Sequence, residues 1–494
     1  MNPLPVHIFH NVYLCMILPC RKKQKKNGGF YMKKVLTLTG AAITAVISKP
    51  TGYKKISLIG LLTMSLFAVQ AADWYVSIET GKNKNAGTRE APLKNIWKAV
   101  EKASAGDNIY VAAGNYSGKM SCGWIDVNKG VSLIGGYASD FSSRDIIKYP
   151  TTLRPTNAMN ATKPASDAGT MRIKTTGADQ KVLLDGFYFD QGDANSYHAS
   201  KGKPEAVATG MWLQPPAKGN TQYPSIDRYS LYASTDGDLT IQNCVFLNGS
   251  NYAVNVAHFS GKVKILNNLF VNNRMVACNV TSRNAKPFVV DFEFANNTVL
   301  YTWSRTSEMS DMGYGVRANT KVATNVHHNI IGLNVGTGFD NTLGNPKDKK
   351  IKLDHNIFFL NKKSDVTATI SPNIAFFKVT DDAFEDYADY DGIESLEGNI
   401  ALDKADAFKG VLDLPYLDAF LSATYSETTD YDENSPANTL RSVLGLNKQG
   451  TITTKVSMFC NRYPADNVLK LFGIIKDYGA QLPGAVQAAE TPVN

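Results

Sequence analysis

Five stretches of this sequence are variations on one short theme, and a chain that repeats itself at such a spacing has few folds open to it. The theme is a short strand, a corner of one or two Asn, Asp or Gly, and a second short strand ending on an aromatic or aliphatic residue. It occurs at 182–189 (VLLDGFYF), 239–246 (LTIQNCVF), 263–270 (VKILNNLF), 292–300 (FEFANNTVL) and 351–358 (IKLDHNIF), with a weaker sixth copy at 325–331 (NVHHNII). Spacings between the corner asparagines run from the low twenties to the low thirties of residues, one solenoid coil per copy. Alternating apolar residues on each strand turn inward, and the sharp corner needs a residue that tolerates the left-handed region, as Asn and Gly do. Stacked coils would set these asparagines in a ladder whose amides hydrogen-bond along the axis. The corner residues, His327, His328 and His355 among them, are therefore read as structural, and the fold class as all-β, a parallel β-helix.

After the second strand comes a third, at 210–214 (GMWLQ), 253–258 (AVNVAH), 275–280 (MVACNV), 313–319 (GYGVRAN) and 337–340 (TGFD). Alternation sends Val254, Val256, Cys278, Val280, Val316 and Ala318 inward and leaves Asn255, Arg317 and Asp340 outward. One sheet of the solenoid is thus expected to show a polar face.

An open solenoid must protect its first and last coils. Apolar residues at helical spacing over 92–103 predict an N-terminal capping helix, followed by a first strand at 109–111. The repeat fades after residue 361, so the β-helix is assigned to 73–361. An acidic, loop-rich flank with a C-terminal helical or loop cap then covers 362–480, because 381–433 holds sixteen Asp or Glu and only Lys404 and Lys409 as basic residues. Within that flank Asp466 is expected to N-cap an amphipathic run to Ile475. The tail 481–494 is expected to be disordered.

The net charge of +8 does not point to nucleic acid. Ten of the 52 basic residues and none of the 44 acidic ones lie in 1–72, which leaves 42 basic against 44 acidic in the remainder. Residues 1–72 read as a leader: Lys54-Lys55, an apolar run over 56–69, then Val69 and Ala71 at the positions that precede a cleavage after Ala71 or Ala72. Met32-Lys33-Lys34 offers a second start. A secreted, periplasmic or cell-surface protein is expected, without a membrane span and as a monomer. Of the cysteines beyond the leader, Cys122, Cys244, Cys278 and Cys460 show no metal-binding spacing and are expected to be buried small hydrophobes.

The stretches around Tyr75, 87–92 (GTREAP), 106–111 (GDNIYV), 114–116 (GNY), 133–137 (LIGGY) and 141–145 (FSSRD) resemble the opening coils of secreted bacterial right-handed parallel β-helix proteins of the pectate-lyase-like type. Counting the repeats, the resemblance covers roughly 74–361. It implies a polysaccharide partner, and for a lyase it implies a base that takes the proton α to a uronate carboxyl group. A positive charge, often Ca²⁺ on Asp or Glu, would neutralise that group. Arg317, Arg305 and Arg274 are the candidate bases, and Glu308, Asp311 and Asp340 the candidate Ca²⁺ ligands. Asn255, His258, Asn279, Arg283, Tyr314, Asn319, Trp212 and Trp303 are the candidate substrate contacts. The sequence lacks the paired-Asp and Gly-His-Gly pattern of polygalacturonases, the Asp-Pro-His-Glu of mannuronan epimerases and the Trp-Ile-Asp-His of the main pectate lyases. A lyase acting on a uronate-containing polysaccharide is the first expectation, and a non-catalytic glycan-binding or cell-surface β-helix the second.

Overall fold

The structure, a computed structural model, describes residues 71–119, 124–154, 170–191, 229–249, 251–303, 312–343, 345–370, 373–402 and 463–483, with isolated positions between 415 and 448. Residues 1–70 of the expected leader, the strand expected at 210–214, most of the acidic flank beyond 402 and the tail beyond 483 lie outside the described residues, as do Cys122 and Cys460.

Each coil lays one strand in each of three sheets, so that consecutive coils stack in chain order. The first sheet has ten strands and the second and third nine each. All pairings between coils are parallel, and the molecule is a right-handed parallel β-helix. One coil shows the plan: Asp238–Gln242 in the first sheet, Val245–Leu247 in the second, Val254–His258 in the third, then Gly261–Leu266 back in the first. Register is kept from coil to coil, so equivalent residues form files along the axis. Leu239, Val263, Phe292, Thr324 and Ile351 make one inward file. Phe189, Phe246, Phe270 and Phe294 stack their rings in the core at centroid distances of 4.7–5.9 Å. The six side chains expected inward on the third sheet are all fully buried, and so are the free thiols Cys244 and Cys278.

The corner between the first and second sheets is the expected amide ladder. Asn268, Asn297, Asn329 and Asn356 each donate from Nδ2 to the Oδ1 of the next rung, the last of which is Asn399, at 2.9–3.2 Å. The residue just before each, Asn267, Asn296, His328 or His355, is left-handed, with φ of 52–56°. The second corner has a ladder as well, through Asp190, Asn248 and Asn272 and through Asn334 and Asn361. There the left-handed position passes from Asn248 and Asn272 to Tyr301, Leu333 and Leu360.

The strands of the second sheet are apolar on both faces: Val-Phe-Leu, Leu-Phe-Val, Thr-Val-Leu, Ile-Ile-Gly, Ile-Phe-Phe. Such strands require cover on both sides. The outer cover comes from the C-terminal segment, whose Tyr463, Val468, Leu471, Phe472 and Ala480 form a second core with Val245, Leu247, Leu269, Val271, Leu300 and Ile330. Side chains of the coils accept and donate along its length. Asn248 Oδ1 accepts from the Tyr463 amide, Asn267 Oδ1 from Gln481 and Thr298 Oγ1 from Ala480.

This corrects the expected C-terminal cap. The amphipathic run lies along the side of the solenoid rather than on its end, and its short helix, Ala465–Val468, starts from Pro464 with Asp466 inside the first turn. The end is closed instead from within the acidic flank. Asn373–Phe377 turns back antiparallel on Ser364–Ile370, and Phe377, Phe384 and Tyr387 fold onto the core. Ile393–Ser395 and Ile400–Ala401 continue the first and second sheets past the boundary placed at 361. At the other end the helix Ile96–Lys102 buries Ile96, Ala99 and Val100 on the first coil. Asp107 fixes the edge there, accepting from the amides of Ala72 and Ser104 and from Trp74 Nε1 at 2.8–2.9 Å.

Candidate functional site

The third sheet carries the polar face anticipated from alternation. Its outward file runs Tyr232, Asn255, Asn279, Arg317, Asp340, Thr367 in register. Asn279 donates to Asn255 Oδ1 at 2.8 Å, and Asn319, just past the end of the strand Tyr314–Ala318, donates to Thr281. Arg317 Nε reaches Asp340 Oδ2 at 2.5 Å, with the Tyr314 ring 4.6 Å from the guanidinium. Asp340 Oδ1 accepts from Thr342 Oγ1 at 2.9 Å. Asn255, Asn319 and Tyr314 are half-buried and Arg283 is exposed, whereas Arg317 and Asp340 are buried.

The chemistry of that pair differs from the expectation. The Arg317 guanidinium is already engaged by a carboxylate and offers only donors, so Arg317 is suited to be a fixed cation rather than a base. Asp340 has one oxygen on a guanidinium and the other on a hydroxyl, and a Ca²⁺ ion bound to it would leave one carboxylate between two cations, the ion and Arg317. Asp340 therefore does not fit the calcium-ligand role. Among the described residues no group of three or more His, Cys, Asp or Glu could hold a metal ion. The other expected ligands, Glu308 and Asp311, lie outside the described residues, with Arg305 and Trp212.

Two expected contacts, His258 and Trp303, and one expected base, Arg274, are not on the surface at all. His258 is fully buried, its Nδ1 2.6 Å from Thr235 Oγ1, and burial pushes its pKa down. It follows Val254 and Val256 at two-residue steps, so the strand turns it to the same inward side. Arg274 and Trp303 are each 1% exposed at the second corner, the guanidinium 5.8 Å from the indole ring. They are packing partners where the chain leaves the second sheet.

A second polar surface escaped the sequence reading. The outer face of the first sheet bears a trough of about 340 Å³, lined by Lys262, Lys264, Asp291, Glu293, Ala323, Asn325, Lys350, Lys352 and Glu394. The signal was present in the alternating lysines of KVKIL and KIKLD, inside two of the repeats themselves. Glu293 bonds to His327 and Lys264, which hold its carboxyl down at about 2.

The sequence profile of a family described as a protein of unknown function, DUF1565, matches residues 79–375, more than half of the chain. The chain belongs to the DUF1565 family. Its matched span runs from the N-terminal cap through the antiparallel turn-back at the far end. A pectate lyase of Emericella nidulans, PEL9, is 50% identical over 50 residues, 10% of this chain and 12% of that enzyme, so the chain matches only about an eighth of its relative's length. Among solved structures, the GH136 lacto-N-biosidase of Eubacterium ramulus aligns at 10% identity over 67% of each chain, with a TM-score of 0.25. XylC in complex with xylose aligns at 11% identity over 62% of this chain and 73% of its own, with a TM-score of 0.23. Among the described residues of this DUF1565 protein, no helix is long and apolar enough to cross a membrane.

Proposed function

We propose that this DUF1565 protein is exported through its leader and acts as a monomer on an acidic polysaccharide laid across the outer face of the third sheet, as a lyase. The observation that carries the reading is the in-register polar file Asn255, Asn279, Arg317, Asp340, flanked by Tyr314 and Asn319. Such a file repeats polar groups at the coil spacing of roughly 4.8 Å, a pattern suited to an extended polymer rather than a compact ligand. Arg317 serves as the fixed cation facing the uronate carboxyl group, not as the base. The pectate lyase match supports the lyase form of the reading.

A second reading, a β-helix that holds glycans without cleaving them, is favoured by one observation. Arg317 is already neutralised by a buried carboxylate. Ultraviolet absorbance of unsaturated uronate products, followed on pectin, alginate and glycosaminoglycans with and without calcium, separates the two. Absorbance rising on one acidic substrate supports the lyase. Retention on an acidic polysaccharide with no absorbance on any substrate supports the holding role and sinks the lyase.

A further inference from the structure

The trough on the first sheet is built by a step in side-chain length between coils. Strands Gly261–Leu266, Val290–Ala295, Val322–His327 and Lys350–Asp354 lie side by side in register. One outward file reads Lys262, Asp291, Ala323, Lys350 and the next Lys264, Glu293, Asn325, Lys352. The third coil contributes a methyl group and a short amide where its neighbours contribute long charged chains, so Ala323 and Asn325 form the floor. The rims stand three coils apart, roughly 14 Å along the axis.

The charges on these rims are unequally satisfied. Glu293 pairs with Lys264 at 3.1 Å and with His327 at 3.5 Å, and Lys350 pairs with Glu394 at 3.7 Å. Lys262 and Lys352, both exposed and on opposite rims, form no ion pair among the described residues. The Asn325 amide between them makes no hydrogen bond among the described residues and is half-buried. Two uncommitted ammonium groups across a neutral floor with an open amide, and with the exposed Asp291 carboxylate next to Lys262 on one rim only, complement a ligand with anionic groups near both ends and hydroxyls between. The lining offers no aromatic face, since Phe292 turns into the core at 1% exposure, so nucleobases would have nothing to stack on.

We propose that this trough is a second glycan site, which binds a chain bearing carboxylate or sulfate groups along the solenoid axis, with Lys262 and Lys352 as its anion contacts and Asn325 as its hydroxyl contact. The site does not rest on the third-sheet reading, because a different sheet and different residues form it. It would let the protein stay on an acidic polymer while the third sheet works on it.

Calorimetric titration of the full chain tests this with tetragalacturonate as the carboxylate probe and a heparin tetrasaccharide as the sulfate probe. Cellotetraose and a short oligothymidylate serve as neutral and phosphate controls. At least one acidic tetrasaccharide should bind, more weakly as salt is raised. A Lys262→Gln/Lys352→Gln double variant should lose at least tenfold in affinity, and Lys82→Gln/Lys84→Gln, exposed near the N-terminal cap and outside both proposed sites, should lose none. The lysines are exposed, so the variant's circular dichroism and melting temperature should match the parent's. Unchanged affinity in the Lys262/Lys352 variant overturns the site, as does an equal loss in the Lys82/Lys84 variant, equal binding of cellotetraose, tighter binding of the oligonucleotide, or binding of neither acidic probe. Unsaturated-product formation by the Lys262/Lys352 variant reads the third sheet separately, so either proposal can fail alone.

Discussion

Asn297 shows what a single amide does in this fold. Its Oδ1 accepts from both the backbone and side-chain nitrogens of Asn268, and its Nδ2 donates to Ile265 O and Asn329 Oδ1. Asn297→Ala would strand buried donors on Asn268, a loss of roughly 1–3 kcal/mol that a fall in urea midpoint at unchanged slope would register. Arg317 and Asp340 make a sharper case, being a buried pair in which each charge depends on the other. Asp340→Asn alone should cost about 3–5 kcal/mol, while Arg317→Met with Asp340→Leu should cost far less, because the double change leaves no lone charge behind. Equal losses in single and double variants would show that the pair contributes through something other than mutual neutralisation. Lys349 adds a pH dependence. Its ammonium is buried against the carbonyls of Asn341 and Thr369, and burial lowers its pKa from 10.5 to about 8. Between those values the unfolded chain holds a proton that the folded one has lost, so this group makes stability rise with pH from about 8 to 10.5. Comparison with Lys349→Met isolates it from Lys362, which titrates in the same range. The parent should gain stability relative to the variant across that window, and parallel curves would refute the assignment.

At the level of elements, sequence and structure agree where one residue decides one position and part where cover comes from far along the chain. The first corner was legible because Asn-Asn recurs where a left-handed residue must precede an amide rung. The second corner was not, because Tyr301, Leu333 and Leu360 take the left-handed position there and nothing in their chemistry announces it. Isolated, a left-handed Leu costs about 1–2 kcal/mol, and the Asn334–Asn361 bond beside these residues helps to offset it. The outward polar file was read correctly from alternation, but exposure was not, since Arg317 and Asp340 are covered. The C-terminal run was recognised as amphipathic, while its destination depended on the second sheet being apolar on both faces. That signal lay in triplets such as Leu-Phe-Val. A chain ending at residue 462 should therefore expose Val245, Leu247, Leu269, Val271 and Leu300 together. Each buried aliphatic is worth roughly 1.5–3 kcal/mol, so the truncated chain should bind a hydrophobic dye and melt at lower temperature. A truncation that melts like the parent and ignores the dye would mean that the segment is not the cover of the second sheet.

Over the whole molecule, the same register that stacks the files also makes both ends sticky, because every sheet stops on a row of unpaired backbone groups. The two ends solve this differently. At the start a helix lies over the first coil through Ile96, Ala99 and Val100, with Lys98 and Lys102 facing water. At the far end Asn373–Phe377 turns antiparallel, the third sheet's only such strand among the described residues, and carries Phe377 onto the core beside Phe384 and Tyr387. An antiparallel strand breaks the template that another parallel coil would need, and the Asp-rich stretch after it adds like charges where a second copy would dock. The caps should therefore act mainly against association rather than for internal stability, since stacked coils stabilise one another as neighbours. Phe377→Asp lifts the far cap and Ala99→Asp the near one. Each should yield oligomers whose mass rises with concentration in light scattering, while circular dichroism keeps its strand signal and the central coils at 239–358 keep their amides protected from exchange. Monomers with exposed central amides would reverse the argument and make the caps pillars of the solenoid itself.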